Sequence, residues 1–129
     1  MDATFICPIS DSEWVPPLVL VPKKNGKWRI YVDYNELNKD TKKDRFHLPF
    51  IDQVFGGLVG KKFFSFLDGF SGYNQIQIIP EDQDKTTFTF PLGTFSYRVL
   101  PFRLCNSPTT FQRAVLSIFV ELVHDFVDI

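Results

Sequence analysis

Cysteine and histidine are almost missing from this chain. Cys7 and Cys105 lie far apart, and His47 and His124 are the only histidines. Two distant cysteines make no disulfide framework, and these residues fit no zinc spacing. A reducing compartment suits such a chain. A surplus of charge is missing too. Lys and Arg number 14 against 15 Asp and Glu, a net charge of −1. The chain as a whole is therefore not a polycation built to coat nucleic acid. No apolar run reaches the roughly 20 residues that cross a bilayer. The N-terminus lacks the basic-then-apolar layout of a secretory signal. An intracellular protein without a membrane partner is expected. Repeats and low-complexity tracts are also absent.

Aromatics are plentiful, at 16% of the 129 residues, and 15 of them are Phe. A hydrophobic fraction of 44% is ordinary for a globular chain and argues against disorder. The length allows one domain at most, or part of a larger one. Charge is unevenly spread. Between Lys23 and Arg45 there are eight basic residues (Lys23, Lys24, Lys27, Arg29, Lys39, Lys42, Lys43, Arg45) and four acids (Asp33, Glu36, Asp40, Asp44). A stretch like this can face phosphates, or it can be a solvated charged surface.

The local patterns mix strand and helix without regular alternation. Met1 to Glu13 shows no periodicity and is expected to be a poorly structured lead-in, with the ordered domain running over 14–129. Pro17 to Pro22 and Trp28 to Tyr34 flank Asn25-Gly26, the strongest short hairpin signal, because both turn residues tolerate positive φ. Trp28, Ile30, Val32 and Tyr34 alternate with polar residues, which predicts a strand with one buried face. Trp28, Tyr34, Phe64 and Phe66 are expected in the core. Asn35 to Lys43 predicts a short helical turn and a loop. Pro49 to Gly57 predicts a short helix that its glycines end. Lys62 to Asp68 and Gln75 to Ile79 read as strands on either side of a tight turn, and Glu81 to Asp84 as an acidic loop. Thr86 to Phe90 and Thr94 to Leu100 predict a second hairpin. Ser107, as N-cap, and Pro108 open a helix with a stripe of Phe111, Val115, Ile118 and Leu122. Val127 to Ile129 reads as the start of a strand. Hairpins mixed irregularly with helices give an α+β fold.

The run LDGFSGYNQI, Leu67 to Ile76, is the richest in chemistry. One carboxylate, Asp68, ends an apolar strand pattern, and glycines and Tyr73 follow at once. Such a mount could hold a metal-bound phosphate. An Asp before Gly is also a common way to start a turn.

Four segments now stand in order: KKNGKWRIYVDYNELNK, FFSFLDGFSGYNQI, KTTFTFPLGTFSYRVLPF and NSPTTFQRA. Together they resemble the fingers and palm of reverse transcriptases, closest to those of Ty3/gypsy-type long-terminal-repeat retrotransposons. The resemblance runs from about Trp14 to the end. It implies a partial right-hand polymerase: a fingers β-hairpin plus an incomplete palm of antiparallel sheet packed with helices. It implies RNA-directed DNA polymerase chemistry with Mg²⁺ or Mn²⁺, dNTPs and an RNA or DNA template-primer. By the resemblance, Asp68 matches the first catalytic carboxylate and a metal ligand, and the Gly69 backbone carbonyl helps hold the metal. Lys23 and Arg29 match triphosphate contacts, with Lys24 an alternative to Lys23. Tyr73 matches the aromatic beneath the sugar that selects deoxynucleotides. Phe102 and Gln112 match positions near the nascent base pair and the template. Asn35 stands at a template contact where Arg is usual, and Arg103 stands where Gly is usual, so crowding is expected there.

The family's Tyr-x-Asp-Asp turn normally follows a segment like Phe126 to Ile129, where this chain stops. Asp125 and Asp128 have the wrong spacing to replace it. The thumb, connection and RNase H regions are not in the sequence. The expectation is a fragment that does not polymerise DNA alone. The alternatives are a non-catalytic nucleic-acid-binding remnant and the inert product of a decayed element.

Overall fold

The computed structural model describes residues 4–123, 125, 127 and 129. Ile6–Pro8 form β1, inside the stretch expected to be unstructured. They pair antiparallel with Gly93–Tyr97, Ile6 opposite Tyr97 and Pro8 opposite Phe95. A strand this short shows no period in the sequence. It exists because the open edge of another strand needs hydrogen-bond partners. Residues 1–3 of that stretch lie outside the described residues.

The first hairpin forms as the turn signal predicts. β2 (Leu18–Pro22) and β3 (Trp28–Val32) pair with Leu18 opposite Val32 and Pro22 opposite Trp28. Gly26 takes φ +76 and donates its N–H to the Lys23 carbonyl at 3.0 Å. The buried face is shorter than the alternation predicts. Val32 and Tyr34 are buried, but Trp28 is 65% exposed. Only the Leu18–Val32 end of the hairpin reaches the core. The strand stops before Tyr34 because the Asp33 carboxylate accepts the Asn35 N–H at 3.0 Å, opening α1 (Asn35–Asp40).

α2 (Ile51–Leu58) follows, with Gln53 Oε1 accepting the Phe50 N–H and Gly60 at φ +85 beyond its end. Residues 62–68 form no strand. Their apolar side chains find no sheet partner, so Phe64 and Phe66 are 55% and 77% exposed rather than core. Their rings pack on each other, edge to face at 5.4 Å. Gln75 to Ile79 is likewise not a strand. A 3₁₀ turn (Gly72–Gln75) consumes its start, and a single bridge, Gln77 to Val99, remains. The expected acidic loop is instead helical. Pro80 opens α3 (Pro80–Gln83), and a 3₁₀ turn (Asp84–Thr86) continues it.

β4 (Phe88–Phe90) and β5 (Gly93–Tyr97) form the second hairpin, so the three-stranded sheet runs β1-β5-β4. The N-cap position of α4 (Ser107–Ile118) is Asn106 rather than Ser107, with no side-chain capping bond. The Ser107 hydroxyl turns away and donates to the Pro101 carbonyl at 3.0 Å. Phe111 and Val115 of its apolar stripe are half-buried, whereas Ile118 and Leu122 are exposed. Near the C-terminus Val127 donates to the Leu122 carbonyl at 3.0 Å. His124, Phe126 and Asp128 lie outside the described residues, so the expected final strand and the Asp128 spacing are not described.

The core is Val32, Tyr34 and Phe88, with Ile6, Leu37, Tyr97 and Leu104 among those packed around it. The Tyr34 hydroxyl donates to the Thr86 carbonyl at 3.0 Å. The Thr86 hydroxyl in turn donates to the Gln83 carbonyl at 2.7 Å and accepts the Tyr97 N–H at 3.0 Å. Hairpin, α1 and sheet thus meet at one buried phenol. Among the described residues no helix is long and apolar enough to cross a membrane.

Burial, then the neighbouring Tyr97, pushes the Tyr34 phenol far above the usual tyrosine value, and burial raises Tyr97 as well. Unfolded, both ionise near pH ~10; folded, they stay protonated. Above that pH the unfolded state holds fewer protons, so stability is full below about pH 10 and falls as pH rises further. Melting temperatures are expected to drop between about pH 9.5 and 11. Tyr34→Phe should cost about 1–3 kcal/mol at neutral pH and reduce the alkaline loss. A melt that ignores pH over that window would contradict this account.

Candidate functional site

The turn after Asp68 is built around one ring. An ideal Cβ on Gly72 would lie 2.7 Å from two atoms of the Phe111 ring, and one on Gly69 would lie 3.0 Å from it. The two glycines let α4 press Phe111 onto the turn, and Ser71 takes a left-handed φ of +48 to close it. Tyr73 is then held edge-on between Phe111, at 5.6 Å, and Phe102, at 5.1 Å. Aromatic pairs in this geometry each add about 0.5–1.5 kcal/mol beyond their buried area.

Phe102 sits on a loop that α1 holds. Asn38 donates its amide to the Arg103 carbonyl at 2.7 Å, and its oxygen accepts the Cys105 N–H at 2.8 Å. Asn106 does the reverse, donating to the Lys42 carbonyl and accepting the Asp44 N–H, both at 3.0 Å. The Arg113–Asp44 ion pair, at 2.6 Å, ties α4 to the same place. Arg103 has φ +79, a region that only glycine enters freely. Its guanidinium carbon lies 3.6 Å from the centre of the Tyr31 ring. The glycine that the resemblance leads one to expect here would take this backbone freely. The Arg103 side chain is laid on the face of Tyr31.

These pieces line one groove of about 950 Å³. Arg29 and Tyr31 come from β3, Tyr73 and Asn74 from the 3₁₀ turn, and Phe102 and Arg103 from the loop before α4. No Asp or Glu is among its lining residues. Apolar walls with a few convergent polar groups, at this volume, are the usual features of a ligand pocket. Of the sequence-derived candidates, Arg29, Tyr73 and Phe102 share this groove. Lys23 and Lys24 border a second, shallower hollow of about 460 Å³ that also touches Arg29. Lys23 and Lys24 remain equivalent there.

The remaining candidates do not line the groove. Asn35 is exposed at the start of α1. Gln112 follows Phe111 on α4, and its Nε2 is buried with no hydrogen-bond partner among the described residues. Asp68 is exposed, and the Gly69 carbonyl accepts the Gly72 N–H at 3.1 Å. A hard divalent cation takes about six oxygen ligands. No cluster of three or more His, Cys, Asp or Glu able to hold a metal occurs among the described residues. Asp68 and Gly69 therefore do not fit a complete metal site by themselves. Sequence reasoning missed Tyr31, Asn38, Asn74 and Asn106. Their roles depend on contacts across the fold that no local spacing carries.

The chain is similar to known proteins in both sequence and fold. The sequence pattern of the family described as "Reverse transcriptase (RNA-dependent DNA polymerase)" matches residues 21–127. The Retrovirus-related Pol polyprotein from transposon 412 of Drosophila melanogaster is 39% identical over 116 residues, 85% of this chain and 9% of that protein. The Transposon Tf2-3 polyprotein of Schizosaccharomyces pombe is 37% identical over 105 residues, 81% of this chain and 8% of that one. The chain thus spans about a tenth of the length of these relatives. Among solved structures, native Prototype Foamy Virus Protease-Reverse Transcriptase superposes with a TM-score of 0.82 at 28% identity, over 92% of this chain and 16% of that one. The foamy viral protease-reverse transcriptase in complex with dsDNA gives 0.84 at 25%, over 97% and 26%.

The packing of the turn makes a direct prediction. Gly72→Ala must displace the Phe111 ring and should cost about 1–3 kcal/mol in thermal or denaturant melts. Gly56→Ala, in α2 with nothing within 4 Å of the new methyl, should be neutral or stabilising. Equal effects for both would show that the Phe111 contact does not hold the turn.

Proposed function

Because this chain belongs to the reverse transcriptase family, beside the Pol polyproteins of Ty3/gypsy-type retrotransposons, we propose that it is the fingers and N-terminal palm of an RNA-directed DNA polymerase. Its groove then receives the incoming dNTP. The observation that carries this is the meeting of Arg29, Tyr73 and Phe102 in one acid-free groove. A guanidinium suits a phosphate and can lie flat against a base. Tyr73, braced on two sides, is a stiff floor for a sugar and would meet a 2′-hydroxyl with a clash. Phe102 offers a face to the nascent base pair. Lys23 or Lys24 would add charge at the triphosphate, and Gln112 and Asn35 would face the template.

The chemistry of the family is attack of a primer 3′-hydroxyl on the α-phosphorus with departure of pyrophosphate, aided by Mg²⁺ or Mn²⁺. Asp68 supplies one carboxylate toward that. The described residues hold no cluster of three or more His, Cys, Asp or Glu able to hold a metal, so no chemical step is assigned to them. The role proposed for this chain is binding and orientation.

A second surface supports nucleic-acid binding. Lys23, Lys24 and Arg29 gather around the hairpin hollow, and a foamy viral relative of the same fold is solved with dsDNA. Retention of a template-primer should fall steeply with salt, as phosphate contacts require.

Two assays test the reading. The chain should bind dATP more tightly than ATP, and Tyr73→Ala should erase that preference. Arg29→Ala should weaken both roughly tenfold. Primer extension on an RNA template with Mg²⁺ or Mn²⁺ should not exceed that of Asp68→Asn. Extension that disappears in Asp68→Asn would show that other acids complete the site. Nucleotide binding indifferent to Arg29 and Tyr73 would refute the groove assignment.

A further inference from the structure

The groove holds two guanidiniums and no acid to neutralise them. Neither Arg29 nor Arg103 forms an ion pair among the described residues, and no carboxylate lines the cavity they share. Like charges gathered in a walled groove repel unless an anion enters between them. Arg103 is also unusually well fixed for an exposed side chain. Its backbone is held at φ +79 by Asn38, which bonds its carbonyl at 2.7 Å and the Cys105 N–H at 2.8 Å. Its guanidinium is held from the other side by the Tyr31 face at 3.6 Å. A non-glycine residue in this region persists only where its surroundings impose it. Here α1 and β3 impose it independently. A guanidinium lying on a ring keeps its N–H donors free at its edge.

We propose that Arg103 is a phosphate-binding residue of the nucleotide groove, preorganised by its seat on Tyr31. With Arg29 it forms a two-guanidinium cradle for the polyphosphate of a nucleotide whose base and sugar lie against Phe102 and Tyr73. This rests on the nucleotide reading of the groove. Stacking fixes the rotamers beforehand, so little side-chain freedom is lost when the anion arrives.

The test is equilibrium binding of dATP, deoxyadenosine and inorganic tripolyphosphate to the chain. EDTA is present, so that Asp68 and divalent ions play no part. Arg103→Gly should weaken dATP and tripolyphosphate roughly tenfold and leave deoxyadenosine unchanged. Tyr31→Leu, which removes the seat but not the charge, should weaken both anions by a smaller factor. Arg103→Gly also frees the left-handed backbone position, so its melt should match that of the parent chain. Tighter dATP binding by Arg103→Gly would mean that the side chain obstructs the groove and would overturn the proposal. So would unchanged anion binding while Arg29→Ala still weakens it; that result leaves the nucleotide reading intact. Absence of dATP binding by the parent chain would remove the nucleotide reading itself.

Discussion

A phenol taken out of water needs a hydrogen-bond acceptor, and in this fold that need joins the first hairpin to the sheet. Tyr34 lies between the first hairpin and α1, and its hydroxyl donates to the Thr86 carbonyl. Thr86 is itself fastened to Gln83 and Tyr97. One buried hydrogen bond therefore sets where the hairpin stands relative to the sheet. From that junction α1 carries Asn38 to the loop of Phe102 and Arg103, and β3 carries Arg29 and Tyr31 to the opposite wall. A core this small, with few fully buried side chains, leans on such polar joints more than on apolar area.

The sequence made local, repetitive features legible and hid those that need a distant partner. Asn25-Gly26 announced the first hairpin because a positive φ has few amino-acid solutions. The Ser107-Pro108 start announced α4 to within one residue of its cap. The ordered motifs announced the family and hence the fold class. The strand expected at Lys62 to Asp68 failed because apolar residues with β propensity form a strand only where they meet another strand's edge, and no described strand pairs with them. β1 was invisible for the converse reason: three residues with no pattern are recruited by the open edge of β5. The alternation from Trp28 to Tyr34 gave the correct face but overstated how much of it is covered.

The site was half legible. Arg29, Tyr73 and Phe102 could be named from the family's motifs, and the structure places them in one groove. The pair of glycines around Ser71 could be read only as a tight turn. Their actual purpose is the approach of Phe111 from a helix far along the chain. Arg103 read as a misfit. Its left-handed backbone is one that glycine takes freely, and its guanidinium shows how a larger residue is accommodated. The Asn38 and Asn106 clamps had no signal at all, since an asparagine that bonds a distant loop looks like any other loop asparagine.

The unpaired stretch before Asp68 governs how this chain behaves as a colloid. Phe63, Phe66, Leu67 and Phe70 stand in water one after another, while the net charge of −1 offers almost no mutual repulsion. Stickiness between molecules is then set by a few rings rather than by the average hydropathy, which is an unremarkable −0.05. Detergent or arginine acts on those rings directly, while moving the pH away from the isoelectric point of about 6.1 restores the missing repulsion.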